Sequence, residues 1–378
     1  MEKSVLIISF WNPVPQMPFK GLFIHEQVKA LSNRNSNLIF LEVNILPSKA
    51  LFKKEVKKQP FNLSQKLTIN IYSCFWKFIY VNPWFAYRII KTVLKKEVPS
   101  FRPSLVHSNI IYPCGISGYF LAKDFKAKHI ISEHWSKATS LLKHPFYKRI
   151  TYKAYSESKA VLCVSRFLEA RIRQAASIEN THIVPNIIDT SMFGYKTKEL
   201  DDNYITFTCA AHWSKPKRLD LILESLRIFA KSSQKTIRLN IVGNGNQTDA
   251  YHNQLFENIE VNWLGYIPKS EIPTVLNVSD YFLHASETET FSIVIGEALC
   301  TGTPVLASNT GAIPELINEK NGLLVNNTIE SWVDGLYKIV NTSFNNSLIA
   351  SSVSNKYSPE IVSREIENIY KELLDNKS

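Results

Sequence analysis

Short apolar runs alternate with amphipathic helical patterns along nearly the whole chain, and this alternation restricts the possible folds more than any other feature. Such a pattern is typical of βαβ units, which build parallel sheets covered by helices. In the first half the runs fall at 5–10, 38–43, 105–108, 129–132 and 160–164. In the second half they fall at 205–208, 238–242, 281–285 and 304–307. We therefore predict an α/β protein with two parallel sheets.

The chain is also long enough for two cores, with 378 residues of which 45% are hydrophobic. Between the halves, the polar segment VPNIIDTSMFGYKTKELDDN breaks the periodicity, which is typical of a linker beginning near Pro185. We predict one domain at 1–185 and a second at 186–356. At the end of the chain, SPEIVSREIENIYKELL predicts an amphipathic helix over 358–374.

Positive charge is concentrated in the first half of the chain. Residues 1–189 contain 28 Lys or Arg and 11 Asp or Glu, whereas residues 190–378 contain 16 and 22. A basic half of this kind favours an acidic partner, either an anionic membrane surface or a phosphorylated acceptor. A solvated lysine-rich face without any partner has the same composition. We do not expect a nucleic-acid partner.

The cysteines and the hydropathy of the chain indicate in which cellular compartment the protein is found. The five cysteines occur singly, which predicts buried thiols in a reducing compartment. The N-terminal MEKSVLIISF has too short an apolar run for a signal peptide and lacks a small-residue cleavage site. No stretch approaches the roughly 18 apolar residues of a membrane span. We therefore expect a cytoplasmic protein, either soluble or peripheral at the inner face of the cytoplasmic membrane.

Two glutamates, Glu289 and Glu297, flank a predicted strand-to-helix turn. Glu289 follows the strand predicted at 281–285, at the sheet edge where α/β proteins bind ligands, and Glu297 lies in the helix predicted at 292–301. The first N–H groups of a helix are free to bind anions, so the backbone of Phe291, Ser292 and Ile293 could hold a diphosphate. The carboxylates are suited to accept hydrogen bonds from sugar and ribose hydroxyls. Acidic residues also favour first helical turns without any ligand.

The wider segment SETETFSIVIGEALCTGTPVLASNTGAIPE resembles the family 4 glycosyltransferases of GT-B fold, which have a Glu-x7-Glu motif, small residues, Gly-x-Pro-Val and a later Gly-x-x-x-Glu. The matching residues are Glu289, Glu297, Ala298, Gly302, Thr303, Pro304, Val305, Gly311 and Glu315. A family run in the linker is matched at Pro185, Asn186, Asp189 and Phe193, with Ile187 in place of Gly. The resemblance covers nearly the whole chain. It implies two Rossmann-like parallel-sheet domains facing across a cleft, with a final helix at 357–378 crossing back onto the first domain.

By this resemblance Glu289 contacts the donor sugar and Glu297 the nucleotide ribose. The family usually has glycine at the position of Ser292, although a serine N–H can still meet phosphate if the turn is helical. Gly243 and Tyr266 are implied to lie beside the nucleotide base.

Lys217, in SKPKRLDLILESL, enters a predicted helix, where an ammonium group could neutralise a departing nucleotide. Lysines at helix starts are also common and mostly inert. The resemblance assigns this lysine to the diphosphate. It also implies an arginine about six residues earlier, where this chain has Ala211. Lys215, Arg218 or His212 could take its place.

In the first domain, Gly21 precedes a predicted helix, where a glycine serves either a plain turn or a close backbone approach to a ligand. The family pattern Gly-x-Phe-x-x-Glu-Gln matches Gly21, Phe23, Glu26 and Gln27 and implies a donor-phosphate or acceptor loop.

His134 directly follows the run HIISE, at the carboxyl end of a predicted strand. Lone histidines are usually structural. The resemblance nevertheless implies that His134 lies near the transferred sugar. His107, in SLVHSN, is a candidate for the acceptor side.

The resemblance implies a retaining glycosyltransferase that moves a sugar from a nucleoside-diphosphate donor to a glycan or lipid-linked acceptor in bacterial surface polysaccharide biosynthesis. Lys217 and the helix start at Ser292 would stabilise the departing diphosphate, while Glu289 and His134 hold the sugar. No Asp-x-Asp pair is present, so we expect neither a metal nor another cofactor.

Two alternatives remain open. A sugar-nucleotide epimerase would bind the same donor without an acceptor, and a non-catalytic sugar-nucleotide-binding or scaffold protein would tolerate the missing arginine.

The run FWKFIYVNPWFAYRIIKTVLKK in the basic half predicts docking at an anionic bilayer, although its aromatic residues could equally belong to the core.

Overall fold

The structure is a computed structural model that describes residues 3–14, 17–35, 37–198, 201–254 and 256–375. It divides into two compact units. The first unit consists of Met1–Ile187 with Pro359–Ser378, and the second of Ile188–Ser358.

The first unit contains an eight-stranded sheet in the order β3-β4-β2-β1-β5-β6-β7-β8. All neighbouring strands are parallel except β3 and β4, which pair antiparallel. The strands are β1 Val5–Ser9, β2 Leu38–Pro47, β3 Lys53–Phe61, β4 Ser64–Ser73, β5 Leu105–Asn109, β6 Lys128–Glu133, β7 Ala160–Cys163 and β8 Thr181–Ile183. The helices are α1 Leu22–Ser32, α2 Trp76–Tyr80, α3 Pro83–Glu97, α4 Ile116–Phe125, α5 Lys148–Ser156 and α6 Arg166–Ala176, joined by the last helix of the chain, Pro359–Asp375.

The sheet of the first unit is covered on both faces. Val5 and Ile7 of β1 belong to one hydrophobic cluster, whereas Leu6 and Ile8 belong to another. Successive side chains of a strand point to opposite faces, so a strand buried on both faces consists of apolar residues throughout. This is why the strands of this sheet are recognisable as continuous apolar runs.

The last helix packs on the first unit. Its Val362, Ile366 and Ile369 are buried in the same cluster as Ile24 and Val28 of α1. Their spacing places these side chains on one helical face, as expected for an amphipathic helix.

The second unit contains a six-stranded parallel sheet in the order β11-β10-β9-β12-β13-β14. Counted from β9, this is the 3-2-1-4-5-6 order of dinucleotide-binding folds, whose ligands bind where the strand order reverses, here between β9 and β12. The strands are β9 Tyr204–Ala210, β10 Thr236–Val242, β11 Ile259–Gly265, β12 Tyr281–His284, β13 Val305–Ser308 and β14 Gly322–Val325. The helices are α7 Leu219–Ala230, α8 Asn246–Tyr251, α9 Ile272–Asn277, α10 Ile293–Cys300, α11 Ile329–Val340 and α12 Asn346–Tyr357, which makes the last helix of the chain α13.

Each predicted strand coincides with an observed one, but the prediction missed five strands: β3, β4, β8, β11 and β14. β3 has the sequence KKEVKKQPF and forms an edge of its sheet. Edge strands are commonly protected by lysines, which hide the apolar pattern of a strand.

The cysteine prediction was partly wrong, because Cys74 is exposed while the other four are buried. Among the described residues, no helix combines the length and apolar character needed to cross a bilayer.

Candidate functional site

The loops that follow β9 and β12 join at the point where the strand order of the second sheet reverses. Lys217 and Ser286 form an antiparallel bridge between these loops. The N–H of Arg218 also donates to the carbonyl of Ala285 at 3.1 Å. This backbone pairing holds the side chain of Lys217 at the carboxyl edge of the sheet, where α/β folds bind their ligands.

Lys217, Glu289 and His284 form a polar group in which His284 is buried and the other two side chains are largely buried. The Lys217 ammonium makes a hydrogen-bonded ion pair with Oε1 of Glu289, and Nε2 of His284 lies 2.8 Å from the same oxygen. Burial alone would raise the pKa of Glu289, but the charge of Lys217 and the hydrogen bond with His284 outweigh it and lower this pKa to about 2. Glu289 is therefore a carboxylate at neutral pH and can accept hydrogen bonds from neutral hydroxyls.

The backbone of Glu289 is held by the loop after β13. The N–H of Ala312 donates to the carbonyl of Glu289 at 3.0 Å. Gly311 has φ +57°, and a Cβ atom there would lie 2.3 Å from the carbonyl oxygen of Glu289. Both the left-handed backbone and the close approach require glycine at this position.

Ser292 immediately precedes α10 and has a left-handed backbone, with φ 73°. The sequence predicts a helix over 292–301, whereas the observed helix begins only at Ile293. A left-handed residue is most easily a glycine, which gives a physical reason for the glycine usual in the family. Here the Ser292 hydroxyl lies 3.2 Å from Nε2 of His284, which ties the start of α10 to the polar group of Glu289. Phe291, just before it, is buried edge-on against Tyr357.

Glu297 lies in the middle of α10 and belongs to a different ion pair. Its Oε1 is 3.1 Å from the ammonium of Lys269, in the segment that follows β11. The Glu297 side chain is only 5% exposed, so this pair links α10 to that segment in a largely buried setting. Glu289 and Glu297 thus have different cationic partners, Lys217 and Lys269.

The loops after β9, β10 and β11 pack closely through glycines. The N–H of Gly243 donates to the carbonyl of Gly265 at 2.6 Å. A Cβ atom on Gly243 would lie 1.9 Å from the carbonyl oxygen of Ala211. Tyr266, the next residue after β11, is half exposed.

Ala211 occupies the position of the arginine that the resemblance implies. Of the three substitutes considered, Arg218 makes a two-pronged ion pair with Asp220, with nitrogen–oxygen distances of 2.8 to 3.0 Å. Its guanidinium is therefore already engaged. Lys215 and His212 are exposed.

In the first unit, His134 directly follows β6. Its Nδ1 lies 3.0 Å from Oδ1 of Asn186, and its ring is 4.6 Å from that of Phe23, centroid to centroid. Burial lowers the pKa of His134 to about 3, and the hydrogen bond with Asn186 opposes this only in part. The imidazole is therefore neutral near pH 7, and Nδ1 donating to the amide oxygen leaves the lone pair on Nε2.

Gly21 immediately precedes α1 with φ 71°, and a Cβ atom there would lie 1.9 Å from the carbonyl oxygen of Trp11. Only glycine fits this position. Phe23, which contacts His134, lies in the first turn of α1. Gly21 and His134 are thus connected at the same edge of the first sheet.

His107 does not have the acceptor-side role considered for it, because the structure buries it completely. Its ring is hydrogen-bonded to the hydroxyls of Tyr370 and Ser132. It is a core histidine that links β5 to α13.

Sequence reasoning missed three residues: Glu133, His284 and Lys269. Glu133 is fully buried and accepts hydrogen bonds from the N–H groups of Ile111, His134 and Trp135. Burial raises its pKa. A glutamate at the end of an apolar strand was a usable signal for Glu133, and a histidine within the apolar run YFLHA was one for His284. Nothing in the sequence around Lys269 distinguishes it from other lysines.

Within the described ranges, no three or more His, Cys, Asp or Glu side chains are grouped so that they could hold a metal ion.

The chain matches two family models that together span most of its length. Residues 50–192 match Glycosyltransferase Family 4, and residues 195–351 match Glycosyl transferases group 1. An uncharacterised glycosyltransferase of Methanocaldococcus jannaschii is 23% identical over 77% of this chain and 80% of its own. The alpha-monoglucosyldiacylglycerol synthase of Streptococcus pneumoniae is also 23% identical, over 62% of this chain and 58% of its own.

Solved structures show the same fold along the whole chain. Sucrose-phosphate synthase from Thermosynechococcus elongatus superposes with a TM-score of 0.76 at 14% identity, covering 99% of both chains. HepE of Anabaena, in complex with UDP, has a TM-score of 0.69 at 14% identity, covering 98% of this chain and 100% of its own. On these matches and on its two parallel sheets, the chain belongs to the group 1, family 4 glycosyltransferases of GT-B fold.

Proposed function

We propose that the protein transfers a sugar from a nucleoside-diphosphate donor to a glycan or lipid-linked acceptor, with retention of anomeric configuration and without a metal. The observation that carries this proposal is the largely buried group of Lys217, Glu289 and His284. It lies where the strand order of the second sheet reverses, beside the start of α10. This placement supports a donor site in the second unit.

The diphosphate is assigned to Lys217 and the start of α10. An ammonium group has three N–H donors, so Lys217 can keep its contact with Glu289 while donating to phosphate oxygens. The first N–H groups of α10, at Ile293 and beyond, have no acceptor within the helix and favour an anion. Charge that develops on the leaving diphosphate would be stabilised by these donors.

The sugar and ribose are assigned to neutral hydrogen-bonding contacts. The ionised Glu289 carboxylate would repel phosphate but accepts hydrogen bonds from sugar hydroxyls. Glu297 is proposed for the ribose hydroxyls, with Lys269 holding its carboxylate in place. His134 is proposed as the contribution of the first unit, because a neutral ring does not repel a sugar that gains positive character.

For the nucleotide we favour UDP, because HepE, which shares the fold, holds UDP. A lipid-linked acceptor is favoured by the similarity to a protein named for a glucosylated diacylglycerol. A role in surface polysaccharide biosynthesis stays a prediction from the family resemblance.

Thermal unfolding with a panel of nucleotides tests the donor site. A ligand at a hundred times its dissociation constant stabilises a protein by about 2.7 kcal/mol. We expect UDP to raise the melting temperature of the wild type more than GDP or ADP does, and to have little effect on Glu297→Ala. Glu319→Ala, an exposed glutamate of the same unit, is the matched control and should respond like the wild type. An absence of any nucleotide effect on the wild type would contradict the proposed donor site.

Product analysis separates the remaining alternatives. Transfer with retention gives a product whose anomeric configuration, measured by proton NMR, equals that of the donor. Conversion of the UDP-sugar to its epimer without any acceptor would identify an epimerase instead. Nucleotide binding without turnover would favour the non-catalytic alternative, to which the absence of an arginine at Ala211 points.

A further inference from the structure

Six large apolar side chains lie exposed on two neighbouring segments of the first unit, between 45% and 74% of each being accessible. They are Leu51, Phe52, Phe75, Phe78, Val81 and Trp84, hereafter the apolar patch. The N–H of Cys74 donates to the carbonyl of Ala50 at 2.7 Å, and the ring of Phe52 lies 6.4 Å from that of Phe85. These contacts bring the two segments together, so the six side chains belong to one surface. Exposed apolar surfaces of this kind mark interaction sites.

The surroundings of the apolar patch are basic. Residues 49–96, which include the whole patch, contain eleven Lys or Arg and one acidic residue, Glu55, which is paired with Lys53. Lys49, Lys54, Lys77 and Arg88 are exposed around the patch, and the guanidinium of Arg88 lies 4.3 Å from the centre of the Trp84 ring. Aromatic side chains with neighbouring lysines and arginines are suited to the interface of an anionic bilayer. This charge complementarity favours a lipid surface as the partner.

An apolar cavity of about 320 Å³ opens next to the patch, at the carboxyl ends of β1 and β2. Trp76 and Tyr80 of α2 line one side of it, while Phe75 and Phe78 at the same helix belong to the patch. The rest of the wall is formed mainly by apolar residues that include Phe10, Val43 and Ile45. Among the described residues that line it, Lys20 has the one charged side chain.

The position of Lys20 connects the cavity to the candidate site of the first unit. Lys20 directly precedes Gly21, from which α1 begins, and Phe23 of α1 contacts His134. A group bound at Lys20 therefore lies at the same sheet edge as His134. Within the described residues Lys20 has no carboxylate partner, which leaves its ammonium available to an anion.

We propose that the first unit docks on an anionic bilayer through the apolar patch and takes the hydrocarbon chain of a phosphate-bearing membrane lipid into this cavity, with Lys20 against the phosphate. The apolar wall binds the chain because burial removes its methylenes from water, and the ammonium binds the phosphate. This inference deepens the proposed function, because it identifies where the lipid part of the acceptor binds. It rests on the proposed function only in treating the bound lipid as the acceptor.

Vesicle sedimentation tests the docking surface. The wild type should pellet with vesicles of equal parts phosphatidylglycerol and phosphatidylcholine but not with pure phosphatidylcholine, and added salt should weaken the binding. Phe75→Ser/Phe78→Ser should reduce binding at least about tenfold, because each phenyl ring loses its apolar burial. Leu348→Ser, at an exposed leucine of the second unit, is the matched control. Equal binding by the wild type and the double variant, or no binding by the wild type, would overturn the docking surface.

Calorimetry with dodecyl phosphate, below its micelle concentration, tests the cavity. Lys20→Glu should weaken binding at least about tenfold through charge repulsion, while Lys159→Glu, at an exposed lysine outside both the cavity and the patch, should leave it unchanged. Ile45→Asp, which places a carboxylate in the wall, should also abolish binding, and melting curves show whether each variant is folded. Dodecyl maltoside, with the same chain and a neutral head, should bind more weakly. If inorganic phosphate binds as tightly as dodecyl phosphate, or Ile45→Asp binds like the wild type, the cavity does not hold the chain.

Neither measurement contains a donor nucleotide or depends on turnover. A failed transfer assay would therefore contradict the proposed function and leave the lipid site standing. Failed vesicle and dodecyl phosphate binding, with UDP stabilisation intact, would overturn only the lipid site.

Discussion

Glu289 keeps its charge in a buried position because two donors share one of its oxygens. Lys217 reaches it from the loop after β9, and His284 reaches it from the end of β12. A buried carboxylate without such partners would be protonated or strongly destabilising. The pair of Lys217 and Glu289 is therefore both a structural contact and the proposed contact to the donor.

Replacing Lys217 by methionine should separate these two roles. Lys217→Met leaves the Glu289 carboxylate with His284 alone, and we expect the free energy of unfolding to fall by roughly 2 kcal/mol. Urea denaturation measures this change, and calorimetry with UDP should show at least about tenfold weaker binding if the ammonium contacts the diphosphate. Lys320→Met, at an exposed lysine of the same unit with no proposed role, is the control. UDP binding unchanged in Lys217→Met would remove the lysine from the proposed donor site.

At the scale of elements, the donor site of the second unit is made by loops and not by the strands themselves. The loops after β9, β12 and β13 converge on Glu289, and each is held by backbone contacts such as the one between Ala312 and Glu289. α10 then begins from the left-handed Ser292. The turn between β12 and α10 depends on the neighbouring loop, because Gly311 packs directly against the backbone of Glu289.

Gly311→Ala should therefore disturb Glu289 without touching its side chain. A methyl group there meets the carbonyl oxygen of Glu289 at 2.3 Å, and alanine resists the left-handed backbone. We expect a loss of roughly 2 kcal/mol in unfolding free energy together with a lower UDP affinity, measured by urea denaturation and calorimetry. Gly194→Ala is the matched control, because its added carbon would meet its nearest neighbour at 3.1 Å. A Gly311→Ala variant with wild-type affinity and stability would show that the loop can rearrange.

At the scale of the whole molecule, the two units differ in charge and in their buried titratable groups. The basic residues belong mainly to the first half of the chain. The first unit also buries His107, His129 and His134, and burial lowers the pKa of each to about 3. All three are neutral in the folded protein near pH 7, whereas the unfolded chain takes up protons below about pH 6.5.

The first unit should consequently lose stability in mild acid. Between about pH 6.5 and about pH 3 the unfolded state binds more protons than the fold, so the unfolding free energy falls as the pH falls, by up to about 1.4 kcal/mol per pH unit for each histidine. Urea denaturation of the wild type from pH 7 to pH 5 measures the slope. His129→Gln, which can still hydrogen-bond Ser108, should reduce it by about one third, and the exposed His252→Gln is the control. A slope that His129→Gln leaves unchanged would show that His129 does not contribute.

Much of the fold could be predicted from the chain, because strands buried on both faces consist of apolar residues throughout. This held for β1, whose residues are buried alternately in two clusters, but not for β3, whose exposed lysines conceal an edge strand. For the candidate site, the sequence predicted which types of residue are involved and that they lie at the ends of strands. The pairing of Glu297 with Lys269 and the burial of His107 were not, because both depend on segments distant in the sequence.

The α/β class, the two sheets and the family of the chain can be predicted from the sequence alone, because they follow from local periodicity and from motifs of adjacent residues. Which charges meet depends on the packing of distant segments. Lys217 and Glu289 are 72 residues apart and come together only because β9 and β12 are neighbours in the sheet. The cavity beside Lys20 likewise exists only where α2 covers the ends of β1 and β2. Contacts of this kind arise from packing, which no local pattern of residues records.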